Sequence, residues 1–153
     1  MAPRPSGDKD PCMATTRTAT TLWHGSLFEG AGRVSLESSG IGTYDVSWPA
    51  RSEEPNGLTS PEELIAAAHA SCYCMALSLG LGRAGTPPES IRASAEVTFV
   101  PGTGITTSHL TVSAVVPGIS AEDFAEAAVA AKDGCPVSQA LAGVEISIEA
   151  SLD

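Results

Sequence analysis

Three cysteines are of a type and spacing that could carry chemistry: Cys72 and Cys74, two residues apart, and Cys135, directly before Pro136. A thiolate can be a nucleophile, an oxidisable centre or a metal ligand, so each of those roles is weighed. On a helix, positions two apart project about 200° from one another, so Cys72 and Cys74 cannot be bridged and must do different jobs. C-x-C is not the C-x-x-C of thioredoxins, and the scattered His24, His69 and His109 match no zinc spacing. No metal and no other cofactor is expected. A lone cysteine in a buried helix is ordinarily a small hydrophobe. Cys135 differs because it opens a helical turn, where free N–H groups and the positive dipole end favour a thiolate or hold a partner sulfur. A helix cysteine and Cys135 therefore make a candidate redox pair.

The elements that must position these thiols can be read along the chain. Residues 1–13 are rich in Pro, Gly and charge without periodicity and are expected to be a disordered leader that includes Cys12, with one domain over 14–153. Thr18 to Trp23 and Gly32 to Glu37 read as a hairpin around Gly25 and Gly30. Gly42 to Trp48 reads as a third strand that Pro49 stops, before a polar loop from Arg51 to Asn56. Thr59 or Ser60 caps a helix that has Pro61 at its start and Glu62 and Glu63 in its first turn. From Leu64 to Leu81 its strongly polar residues are His69, Ser71 and Ser78, so this helix is expected to be buried all round.

Ile91 to Val100 and Thr106 to Val116 alternate as a long hairpin, and Ser120 caps a helix from Ala121 to about Lys132 that Gly134 ends. Val137 to Leu141 reads as a short helical turn and Val144 to Leu152 as a closing strand. The order βββ-α-ββ-α-β predicts an α+β fold with strands in antiparallel groups around a long central helix. Trp23, Phe28 and Trp48 are expected in the core, with the alternative that one of them lines a pocket for an organic group.

Composition narrows the function. The chain has 153 residues, the size of one ordinary domain, with 42% hydrophobic and 17% charged residues. Its 8 Lys and Arg against 18 Asp and Glu leave a formal charge of −10, which argues against nucleic acid or an anionic membrane as a partner. The central helix nearly has the length of a membrane span, but its His, Ser, Gly and small Ala residues favour the centre of a fold or a subunit interface. A soluble, cytoplasmic protein is expected.

Two stretches carry a resemblance. Ser60-Pro61-Glu62-Glu63-Leu64-Ile65-Ala66-Ala67-Ala68-His69-Ala70-Ser71-Cys72, followed by Cys135-Pro136-Val137-Ser138-Gln139-Ala140-Leu141, resembles the osmotically inducible protein C / organic hydroperoxide resistance family, and its osmotically inducible branch in particular. The likeness covers nearly everything after Met13, including Gly118-Ile119 before the second helix. It implies a thiol peroxidase acting on organic hydroperoxides and hydrogen peroxide in stress defence, reset by a dithiol reductant. It also implies an interlocked homodimer with active sites at the subunit interface. The family's peroxidatic cysteine falls on Cys72, its resolving cysteine on Cys135, its acidic partner on Glu62 and its catalytic arginine on Arg51, with Arg33 as the alternative.

The chemistry of the residues agrees with those roles. A guanidinium at Arg51 supplies a permanent charge to lower the Cys72 pKa, and a carboxylate at Glu62 could fix that guanidinium bidentately. Attack on peroxide makes a Cys72 sulfenic acid, which Cys135 condenses to a disulfide. Each residue also has a plainer reading: Glu62 as a first-turn helix residue, Arg51 as a solvated charge, Cys74 as packing, and His69 as a hydrogen-bonded core residue without a catalytic role. Two other functions fit the thiols, a non-enzymatic dimer that keeps them reduced, and a redox sensor or sulfur-transfer protein. If Glu62 and Cys72 share one continuous helix, they lie about 15 Å and roughly 80° apart, too far to hold one guanidinium together. A two-fold dimer could instead bring Glu62 of one subunit near Cys72 of the other.

Overall fold

The computed structural model describes residues 14–153; the expected leader and Cys12 lie outside the described residues. The first sheet, β1 (Thr20–His24), β2 (Ala31–Ser35) and β3 (Thr43–Val46), is an antiparallel meander in that order. Its first turn depends on glycine: Gly25 sits at φ 87°, and a Cβ on Gly30 would collide with the carbonyl oxygens of Ser26 and His24.

After β3 the expected polar loop is partly helical. Ser47 accepts a hydrogen bond from Ala50 N at 3.2 Å, Pro49 sits in the first turn, and α1 (Trp48–Ser52) results. Pro49 stops the strand as expected but is also pre-set for a helix start, and the Ser-x-x spacing supplies the cap. Arg51 is therefore placed on a turn of helix.

Ser60, not Thr59, caps α2 (Pro61–Arg83), accepting from Glu63 N at 3.2 Å, while the Thr59 hydroxyl donates to the Glu63 carboxylate at 2.7 Å. β4 (Ser90–Val100) and β5 (Gly104–Val115) form the long antiparallel hairpin, with a bulge between Thr98 and Phe99. Ser120 caps α3 (Ala121–Gly134), α4 (Pro136–Ala140) follows, and β6 (Glu145–Leu152) pairs with β5. That last pairing is parallel, so the strands are not all in antiparallel groups. The α3–α4 crossover carries the chain back along the sheet before β6 begins, which is the connection a parallel neighbour requires.

α2 and α3 pack on one face of the β4-β5-β6 sheet, and the core between them holds Tyr73, Leu77, Leu81, Leu110, Val112 and Phe124. Tyr73 is fully buried and its hydroxyl donates to the Ala128 carbonyl of α3 at 3.0 Å. Contrary to expectation, α2 is not covered all round within one chain. Its buried stripe is Glu62, His69, Tyr73, Leu77 and Leu81, at the spacing of one helix face, while Met75 and Leu79 on other faces are exposed. One sheet and one neighbouring helix cannot wrap a helix on every side. By length and composition α2 could cross a membrane, but its stripe includes a hydrogen-bonded glutamate and histidine.

Trp23 and Phe28 are likewise exposed rather than in the core. Trp48 and Phe28 meet edge to face at 5.9 Å between ring centres, and Trp48 meets Phe99 of β4 in the same way at 6.0 Å.

Candidate active site

The four residues singled out from the sequence form two pairs. At the N-terminal end of α2, Arg51 grips Glu62: Nη2 and Nε donate to Oε1 at 2.8 and 3.0 Å, and Nε also reaches Oε2 at 3.3 Å. Glu62 is buried, and the Arg51 side chain keeps 30% of its exposure. Phe99 stacks beneath the guanidinium, with Cζ 4.2 Å from the ring centre. The arginine is thus fixed in its plane by a carboxylate and on its face by an aromatic ring. Arg33, by contrast, pairs with Asp45 at 3.1 Å between two mostly exposed side chains.

Farther along α2, where it packs against α4, Cys72 neighbours Cys135 closely enough for each sulfur to act on the other. Cys74 points elsewhere, toward the backbone of Ala93 on β4, and burial pushes its thiol up. Among the described residues all three cysteines are free. Cys135 is fully buried at the start of α4. Its sulfur makes no formal cap hydrogen bond, yet several donors face it. Against the opposing effect of burial, the Ser138 N–H, the Cys72 thiol, the Ser138 hydroxyl and the Val137 N–H together hold the Cys135 thiol below its ordinary value. Burial pushes the Cys72 thiol up, and the Cys135 sulfur adds to this against the Val137 N–H that faces it.

No guanidinium is among the groups that act on Cys72 within one chain. α2 is continuous between Glu62 and Cys72, so the ten residues separate the two pairs by about 15 Å along its axis.

A cleft of about 350 Å³ opens beside the arginine, lined by Trp23, Leu27, Trp48, Arg51, Pro61 and Leu64 among others. It is largely apolar with one cationic group, a surface suited to an organic molecule carrying a polar end. Among the described residues, no cluster of His, Cys, Asp and Glu could hold a metal ion.

The family model described as OsmC-like protein matches residues 54–149. The chain belongs to the OsmC family. It is 44% identical over 143 residues to a protein named Peroxiredoxin OsmC from Escherichia coli (strain K12), an alignment covering 92% of this chain and 99% of that one. Among solved structures it is similar to an organic hydroperoxide resistance protein OsmC from Legionella pneumophila, with TM-score 0.68, 23% identity, and coverage of 92% of this chain and 98% of that one. An OsmC-like protein from Mycoplasma pneumoniae matches with TM-score 0.69 at 14% identity, over 92% of this chain and 99% of that one. At such low identity the two structures establish the shared OsmC-like α+β fold.

Two groups at this site carry no role in the sequence reading. Ser138 stands three residues after Cys135, the spacing at which an N–H and a hydroxyl return toward a cap residue, and that spacing was a readable signal. Phe99 had none, because its place under Arg51 depends on the long β4-β5 hairpin reaching back to α1.

Proposed function

We propose that this cysteine-based peroxidase of the OsmC family reduces organic hydroperoxides and hydrogen peroxide at Cys72, that Cys135 resolves the product, and that a dithiol resets the enzyme. The observation that carries the reading is that Cys72 of α2 and Cys135 at the start of α4 are neighbours that act on one another, with Cys74 turned toward β4.

In this scheme the Cys72 thiolate attacks the distal peroxide oxygen. The O–O bond breaks, alcohol or water leaves after taking up a proton, and Cys72 becomes a sulfenic acid. Cys135 then displaces the oxygen as water and closes the disulfide. A dithiol returns both thiols by exchange and is itself oxidised to its disulfide.

The assembly in this reading is an intertwined homodimer with two composite sites. It is supported by the separation of the Arg51–Glu62 and Cys72–Cys135 pairs within one chain, and by the apolar Met75, Leu79, Leu22 and Phe28 that one chain leaves uncovered. Arg51 of the second subunit would supply the cation that Cys72 lacks and draw the thiolate to it. The apolar cleft beside Arg51 suits the organic part of a hydroperoxide. Dependence on a dithiol fits a reducing compartment such as the cytoplasm.

Steady-state peroxide consumption with a dithiol, comparing tert-butyl hydroperoxide with hydrogen peroxide, tests this reading. Turnover with both, and loss of two thiols per chain on a single oxidation, is expected. A chain whose thiols react with hydroperoxide but do not turn over with any dithiol would be a redox sensor instead.

A further inference from the structure

The short bonds between Arg51 and Glu62 converge on one atom. Nη2 and Nε stand 2.8 and 3.0 Å from Oε1, and Oε2 takes only a longer bond from Nε at 3.3 Å. Two parallel bonds to two oxygens would fix a guanidinium in place, whereas bonds that meet at a single oxygen leave it a pivot. Glu62 therefore does not by itself set the tilt of the group, and it leaves Nη1 to donate elsewhere. The restraint on that tilt stands on the flat side of the guanidinium, where the Phe99 ring centre lies 4.2 Å from Cζ.

Phe99 is itself held from two directions. β4 and β5 pair residue for residue as far as Thr98 and Thr107, and then the register shifts so that Phe99 faces Ile105. The extra residue, Thr106, raises the twist of the hairpin at the level of Phe99, as bulges beside functional sites commonly do. From α1, Trp48 meets the Phe99 ring edge to face at 6.0 Å, and Phe28 meets Trp48 in the same way at 5.9 Å. Trp48 and Arg51 are three residues apart on α1, the spacing of one helix face, and both rest on Phe99. An aromatic residue needed only for packing belongs among the buried side chains. Phe99 is half-buried and lies outside the core of Tyr73, Leu77, Leu110 and Phe124, and its ring serves the arginine instead.

We propose that Phe99 is a positioning residue for peroxide attack: its ring face holds the Arg51 guanidinium at the tilt from which the hydrogens that Glu62 leaves over reach the Cys72 thiolate. The inference rests on the reading of Arg51 as the cation that activates Cys72 in a composite site. Phe99 acts through the arginine, so its contribution exists only while Arg51 is present. A leucine at this position keeps the apolar character but offers the cation no negative ring face, whereas a tyrosine keeps that face.

The test is a double-mutant cycle in the full-length protein. It reads peroxide loss on rapid mixing with one equivalent of tert-butyl hydroperoxide and, by peptide mass, the rate at which iodoacetamide alkylates Cys72. Phe99→Leu is expected to slow both about three- to tenfold, the size of one cation–π contact at a part-exposed site. Phe99→Tyr should recover most of both rates. In an Arg51→Ala background Phe99→Leu should slow neither rate further, a dependence on the arginine that loss of packing alone would not produce. If Phe99→Leu does not fold, Phe99→Met takes its place. Native rates in folded Phe99→Leu, equal slowing with and without Arg51, or a Phe99→Tyr chain as slow as Phe99→Leu overturns the inference while the native cycle stands. A native chain that consumes no hydroperoxide overturns the peroxidase reading and this inference with it.

Discussion

Arg51 and Glu62 of the same chain are locked together, Nη2 and Nε standing 2.8 and 3.0 Å from one carboxylate oxygen, with Phe99 stacked on the guanidinium. The glutamate thus orients the arginine from within the same chain, while Cys72 lies farther along α2, beside Cys135 at the start of α4.

If that guanidinium activates Cys72, Arg51→Ala and Arg51→Lys should both slow peroxide attack, by about ten- to a hundredfold for the loss of charged hydrogen bonds. Lysine fails because it lacks the planar fork that Glu62 holds. Arg33→Ala should leave the rate unchanged. Alkylation of Cys72 as a function of pH checks this directly, and an unaltered alkylation profile in Arg51→Ala would remove the arginine from the mechanism.

Cys72→Ser should abolish turnover, whereas Cys74→Ser should retain most of it because its side chain faces β4. Peptide mapping after one equivalent of peroxide should find Cys72 joined to Cys135. Cys135→Ser should stop at sulfenic acid and over-oxidise readily, seen as mass gains of two or three oxygens.

Composite sites predict complementation. Cys72→Ser chains and Glu62→Ala chains, unfolded and refolded together, form mixed dimers in which an intact Cys72 meets the intact arginine–glutamate pair of the other subunit, restoring about one full site per mixed dimer. Sites built within single chains would leave the mixture no more active than its Glu62→Ala component.

His69 makes stability depend on pH. Its folded pKa lies below the ordinary imidazole value of 6.5, so below that pH the unfolded chain binds a proton that the folded chain does not. Stability should therefore fall as pH drops from about 6.5 toward the lowered pKa, and be unaffected by this group above it. Denaturant midpoints of the native chain and His69→Gln, measured side by side across this range, should diverge on the acid side, with the variant losing less. Parallel curves would mean that the histidine titrates normally.

Much of this architecture was readable because it is local. The caps at Ser60 and Ser120, the alternation of β4, β5 and β6, and the turn at Cys135-Pro136 depend on neighbours within a few residues, and the elements begin and end close to where those signals stand. The roughly 200° between Cys72 and Cys74 follows from helix geometry alone, so their division between Cys135 and β4 was legible too. Composition and the two motif stretches were enough to point to the family.

Tertiary structure decided what distant segments do to one another. α1 folds because Ser47 caps it, yet only the return of α2 brings Glu62 onto Arg51, and only the β4-β5 hairpin carries Phe99 beneath them. The parallel β5–β6 pair depends on where the crossover lands. α2 reads as apolar on every side, but how much of it one chain covers depends on how many elements pack against it. The acidity of the two thiols was equally out of reach, since it is set by which donors and charges stand near each sulfur. Cys135 has Ser138 and, behind it, His69 and Ser108 from three different elements, whereas Cys72 has burial and no cation.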